Sequence, residues 1–90
     1  MRFQFDPRKA ASNLKKHGVS FADAEGVFYD PLALHQADPE AEGEERFIGV
    51  GMGSAGQLLV LVYTLRGEDI RLISVRRATR KEAKTYETGI

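Results

Sequence analysis

Three apolar runs in the second half of the chain decide the fold: Glu45-Arg-Phe-Ile-Gly-Val-Gly-Met52, Gln57-Leu-Leu-Val-Leu-Val-Tyr-Thr-Leu65 and Ile70-Arg-Leu-Ile-Ser-Val-Arg-Arg77. Each has strand length and is rich in β-branched or aromatic residues. They are separated by Gly53-Ser-Ala-Gly56 and Arg66-Gly-Glu-Asp69, short glycine-containing joints that imply an antiparallel meander. The middle run is apolar on both faces, Leu59 and Leu61 on one and Val60 and Val62 on the other. The sheet should therefore be covered on two sides. If both joints act as four-residue loops, hairpin counting pairs Arg46 with Tyr63 and Leu72 on one face, and Glu45 with Thr64 and Arg71 on the other. A slip of one residue exchanges those faces.

Outward from these runs the pattern is helical. Asp6-Pro7 starts a first helix, with the Asp side chain as cap and proline where its missing N–H costs nothing. It should run through Leu14 to about Lys16 and stop at Gly18, with basic residues suited to its C-terminal dipole. Ser20 caps a second, short helix through Val27 or Phe28, ended by Asp30-Pro31; Phe21, Ala24, Val27 and Phe28 share its apolar face. A short strand-like run follows near Ala33 to Gln36, then an acidic loop from Asp38 to Glu45. Thr79-Arg-Lys-Glu82 is a capping box that opens a last helix to about Tyr86. The expected fold is α+β: two N-terminal helices, an antiparallel meander of three to four strands and a C-terminal helix. The N-terminal helices cover one face of the sheet; the last helix or a partner protein covers the other.

Ninety residues leave room for one core, so residues 1–90 are read as one domain. The absence of cysteine removes disulfides and thiolate chemistry and fits a reducing, cytoplasmic setting. No segment approaches the roughly 18 apolar residues of a membrane span, so a soluble protein without a membrane partner is expected. Net charge is zero, yet residues 1–45 carry 5 Lys+Arg against 9 Asp+Glu, and residues 46–90 carry 8 against 4. Arg71, Arg76, Arg77, Arg80, Lys81 and Lys84 crowd together with one acidic residue, Glu82, among them. Such asymmetry points to a polyanion or an acidic partner, or else to a solvated helix face.

No His, Asp or Glu cluster has metal-ligand spacing, so no metal and no cofactor are expected. Gly51-Met-Gly53-Ser-Ala-Gly56 matches the dinucleotide spacing but leads into a strand instead of a helix. Lys9, Asn13 and Lys16 or His17 form a polar stripe along the first helix, able to present basic groups together. His17 at the helix end favours the imidazolium as a phosphate ligand or proton donor, or serves only as a cap. His35 reads as a surface residue. Arginines on the last strand bind phosphate by a planar, permanently charged fork. RNA cleavage requires a group to take the 2′-hydroxyl proton, a group to protonate the leaving 5′-oxygen, and cations for the phosphorane. Arg46, Arg71 or Arg76 with Glu45 and Tyr63 can form such a set; singly, each also reads as an ordinary ion pair or surface residue.

Taken in order, Phe5-Asp-Pro-Arg-Lys9-Ala-Ala-Ser-Asn13-Leu-Lys-Lys-His17-Gly-Val, Phe28-Tyr-Asp-Pro31, Gly43-Glu-Glu45-Arg46, Arg71-Leu-Ile-Ser74-Val-Arg76-Arg77-Ala and Tyr86 resemble the BrnT family over nearly the whole chain. Val75 departs from an alanine common in that motif and keeps the strand pattern. The resemblance implies a RelE-like fold and a metal-independent endoribonuclease toxin that stops translation. It also implies a BrnA-like ribbon-helix-helix antitoxin, with operator DNA reached only through the toxin-antitoxin complex. On this reading Arg46, Arg71 and Arg76 hold phosphate or the transition state, Glu45 or Tyr63 moves protons, and Lys9, Asn13, His17 and Arg77 face RNA. The alternatives are a module that binds nucleic acid without cutting it, and a protein-interaction module.

Overall fold

In the computed structural model, which describes residues 1–89, the three apolar runs become the centre of a mixed five-stranded sheet. Its strands are β1 (Phe3–Gln4), β2 (Leu34–Ala37), β3 (Phe47–Met52), β4 (Leu58–Arg66) and β5 (Asp69–Arg77), ordered β1-β5-β4-β3-β2. The meander β3-β4-β5 is antiparallel as expected, and β2 extends it antiparallel to β3. The sheet exceeds the expected three to four strands because β1 adds a parallel edge on β5, through Phe3 and Gln4 beside Ile70 and Arg71. Two residues are too few to show a period.

The register of β3 differs by one residue from the hairpin count. The first joint closes on Met52 and Leu58, leaving residues 53–57 between the strands, with Gly56 at φ +79° making the turn. Counting from that closure, Phe47 and not Arg46 faces Tyr63, and Arg46, next in line, falls beside Thr64. The second joint closes on Arg66 and Asp69, so Tyr63 faces Leu72 and Thr64 faces Arg71. A bulge then follows: Val62 faces Ser74, which leaves Ile73 without a partner. Strict alternation would send Arg71 and Arg76 to opposite faces. The extra residue places Arg71, Ser74 and Arg76 on one face, opposite Thr64, Val62 and Val60 in turn.

The other face carries the core. Leu59, Leu61, Tyr63, Leu72 and Val75 pack there against Val19, Phe21, Ala24 and Val27. Each such fully buried aliphatic side chain stabilises the fold by about 1.5–3 kcal/mol. The covering layer is α1 (Pro7–His17), capped by the Asp6 side chain on the Arg8 N–H, and α2 (Phe21–Ala24), capped by Ser20. α2 tightens into a 3₁₀ turn over Glu25–Tyr29. Gly51 and Gly53 allow this layer to lie close: a Cβ at Gly51 would meet Val27 at 2.8 Å, and one at Gly53 the Asp23 carbonyl oxygen at 2.8 Å. Gly49 leaves room for the His35 ring of β2, which a Cβ would meet at 2.9 Å. The alternating glycines that mimic a nucleotide loop are thus a packing stripe.

The last helix, α3 (Arg80–Thr88), carries the expected capping box between Thr79 and Glu82. It leans over the outer face of the sheet and buries none of its own residues. Two polar links hold it: Arg76 pairs bidentately with Glu82 at 2.7 and 2.8 Å, and the Tyr86 hydroxyl donates to Asp30 Oδ2 at 2.6 Å. Among the described residues, no helix is long and apolar enough to cross a membrane.

Candidate functional site

The second joint sets Thr64 beside Arg71, and the slip on β3 brings Arg46 into the same row, so that Arg46, Thr64 and Arg71 lie side by side on the outer face. Arg66 lies two residues beyond Thr64 on the same face, and Lys9 reaches in from α1. These side chains line a cleft of about 220 Å³, floored by Thr64 and Ile73 and flanked by Glu42 and Glu44 of the acidic loop. A second hollow of about 190 Å³ adjoins it along α1, shares Lys9 and Ile73, and adds Ser12, Lys16 and His17. The exposed stripe of α1 thereby continues the cationic surface started by the strands.

The charges in the cleft are poorly compensated. Arg66 pairs with Glu44 at 3.3 Å, with both side chains about half exposed, and such a pair is worth about 0–1 kcal/mol. Among the described residues, Lys9, Arg46 and Arg71 make no ion pair. Like charges on neighbouring strands disfavour the fold, so their convergence needs a reason other than stability. A guanidinium is donor-only and planar, matching an oxygen anion with two free oxygens. The surface suits a phosphodiester.

A family model for the ribonuclease toxin BrnT of type II toxin-antitoxin systems matches residues 5–82. The chain belongs to the BrnT family. The crystal structure of the Brucella abortus ribonuclease toxin BrnT superposes with a TM-score of 0.68, covering 89% of this chain and 99% of that one at 24% sequence identity. At that identity the likeness establishes a BrnT fold. No curated protein matches the sequence.

The other residues expected at the site lie elsewhere in this BrnT fold. Tyr63 sits on the core face, 6% exposed, turned away from Arg46 and Arg71. Its hydroxyl lies 2.8 Å from His35 Nδ1. Partial burial lowers the His35 pKa and raises that of Tyr63, so at neutral pH a protonated phenol and a neutral imidazole share this hydrogen bond. Phe28 stacks on His35 and meets Tyr63 edge-on, so His35, exposed as expected, also has a structural partner set. The expected pairing of Arg46 with Tyr63 fails because the longer first joint moves Arg46 to the opposite face. Of the expected row of Glu45, Thr64 and Arg71, the Thr64–Arg71 pairing holds, and the same slip puts Arg46 in the place of Glu45. Glu45 is exposed, and it is Glu42 and Glu44 that line the cleft.

Arg76 shares the outer face with Arg71 but lies in a different hollow. It borders a groove of about 320 Å³ under α3, whose floor is Ile48, Val50, Val60 and Val62. There its guanidinium is engaged by Glu82, whose carboxylate is held down to about 2 by the Arg76 hydrogen bonds. Arg77 faces Leu59 on the core side and reaches Gln57 at 3.4 Å, away from the cleft. Asn13 is buried at 7% exposure, and both ends of its amide are committed. Its Oδ1 accepts from the Val75 N–H, and its Nδ2 donates to the Val75 and Val19 carbonyls. It occupies the free edge of β5 as a neighbouring strand would, and so fixes α1 to the sheet. Ser74 lines both the groove under α3 and the hollow beside α1, making the outer face one surface with a cationic end and an apolar end. Among the described residues, no group of three or more His, Cys, Asp or Glu side chains gathers in metal-binding geometry.

Sequence reasoning passed over one cleft cation, Arg66, and gave Thr64 a place in the row without a role. Arg66 carried a usable signal, being cationic and at strand spacing from Thr64, while Lys16, the alternative to His17 in the helix stripe, lines the adjoining hollow. Thr64 carried none, since a threonine in a strand needs no further explanation.

Proposed function

We propose that this chain is a metal-independent endoribonuclease whose cationic cleft, centred on Arg46 and Arg71, holds the scissile phosphate of single-stranded RNA. The single observation that carries the reading is the convergence of Lys9, Arg46, Arg66 and Arg71 on one hollow with Glu44 as the one paired carboxylate. In the proposed reaction the substrate's 2′-hydroxyl attacks phosphorus and the bond from phosphorus to the 5′-oxygen breaks. The 2′-hydroxyl proton passes to a base, and an acid supplies a proton to the departing 5′-oxygen. The products are a 2′,3′-cyclic phosphate and a 5′-hydroxyl. Guanidinium groups stabilise the dianionic phosphorane, and rigid strands hold them in place before reaction. Carboxylates of the acidic loop, Glu42 or Glu44, and the imidazole of His17 border the cationic surface at its two ends and are the groups available for proton transfer.

In the cell the reading is that of a RelE-like toxin: cytoplasmic, arresting translation by cutting RNA, and neutralised by a BrnA-like ribbon-helix-helix antitoxin. Operator DNA is reached only through that complex. The family supports an antitoxin partner and an RNA target. The test is cleavage by the purified protein in EDTA. RNA should be cut to cyclic-phosphate ends, and Arg46→Ala and Arg71→Ala should each lose about 10²-fold or more in rate with unchanged thermal melts. RNA left intact across a wide range of protein concentrations, or bound in a salt-sensitive way without new ends, would overturn it in favour of a binding module.

A further inference from the structure

Thr64 is the one described side chain that is buried and polar yet bonds to nothing in the protein. It is 3% exposed, and its Oγ1 has no hydrogen-bond partner. Native proteins pair the large majority of such groups, because an unpartnered buried hydroxyl costs stability. Valine would fill the same place in β4 with the same branched shape and without that cost. The hydroxyl lies between Arg46 and Arg71 in the cross-strand row, with Lys9 and Arg66 around it. All four neighbours are donor-only cations, so none can accept the hydroxyl proton. Glu42 and Glu44, the carboxylates of the same hollow, do not reach it.

We infer that Thr64 is the neutral donor of an anion subsite that seats one RNA phosphodiester between Arg46 and Arg71. The inference rests on the ribonuclease reading above and adds to it a positioning residue. One non-bridging oxygen takes the guanidinium forks, and the other accepts the threonine proton. A point charge attracts a phosphate from any direction, whereas a short, rigid hydroxyl fixes how the group is turned. Thr64 thus sets orientation where the cations set affinity, which is the property an in-line displacement needs.

The test uses the full chain with Thr64→Val, which keeps shape and removes the hydroxyl, and Thr64→Ser, which keeps the hydroxyl. The probes are inorganic phosphate, followed by amide NMR, and a short single-stranded DNA, which carries phosphodiesters without the 2′-hydroxyl. Thr64→Val should weaken binding of both by about tenfold, the worth of one hydrogen bond to a charged group, while its melting temperature stays level or rises. Thr64→Ser should bind as the parent does. If the valine variant does not fold, Thr64→Ala supplies the same comparison. Unchanged affinity without the hydroxyl, or no phosphate binding by the parent protein, overturns the subsite. The two readings fail separately: a protein that cuts no RNA but loses phosphate affinity on Thr64→Val keeps the subsite and loses the nuclease. One that cuts RNA and binds equally well as Thr64→Val keeps the nuclease and loses the subsite.

Discussion

Tyr63 and Arg71 lie on adjacent strands close in sequence to the same turn, yet the plane of the sheet separates their side chains. The consequence is a sharp contrast between two substitutions. Tyr63→Phe removes only the hydroxyl that is hydrogen-bonded to His35, so it should cost about 1 kcal/mol of stability and leave the RNA cleavage rate within a factor of about two. Arg71→Ala should do the reverse. Parallel melts and cleavage assays separate these outcomes, and loss of cleavage in Tyr63→Phe would return the phenol to the reaction. Asn13 belongs with the structural residues. Asn13→Ala strands the Val75 N–H and carbonyl at the free edge of β5, and unmet buried backbone groups cost about 1–3 kcal/mol each. A fall in melting temperature of several degrees is expected, with activity falling only as far as folded protein is lost.

At the scale of elements, the helices, their caps and every strand but β1 were legible in the sequence because each follows from local chemistry. Asp6, Ser20 and Thr79 cap the helices as their side chains permit, and alternation in β4 marks both faces. What was not legible is how the elements meet. One extra residue in the first joint and one bulged residue at Ile73 decide which arginines share a face, and neither has a composition of its own. The loop between β2 and β3 shows the same limit. Its sequence reads only as an acidic loop, whereas Glu42 and Glu44 border the cationic cleft and Glu44 pairs with Arg66. An RNA phosphate entering the cleft must compete with them for the same cations. The double substitution Glu42→Gln, Glu44→Gln should therefore tighten binding of single-stranded DNA several-fold at low salt, with the gain shrinking as salt rises and screens both the loop and the ligand. Unchanged affinity at every salt concentration would show that the loop does not occupy the cleft.

For the whole molecule, the outer face of the sheet divides into a cationic end that is open and an apolar end that α3 partly covers. α3 buries no residue of its own and depends on Arg76–Glu82 and Tyr86–Asp30. Its attachment should therefore respond to acid. The Glu82 carboxylate is lowered from an ordinary 4.5 to about 2, chiefly by the Arg76 hydrogen bonds. A carboxylate depressed in the folded state contributes stability that is fully present above 4.5 and is lost as pH falls through about 2. Because the pair is partly open to solvent, at 42% and 29% exposure, its contribution is about 1 kcal/mol. Glu82→Gln should be less stable than the parent by that amount at neutral pH, and the gap should close toward pH 2, as melts at a series of pH values would show. RNA cleavage at neutral pH should persist in Glu82→Gln, since Arg76 and the groove under α3 lie apart from Arg46 and Arg71. Cleavage lost together with the stability gap would mean that the two ends of the sheet work as one site, with α3 part of the chemistry.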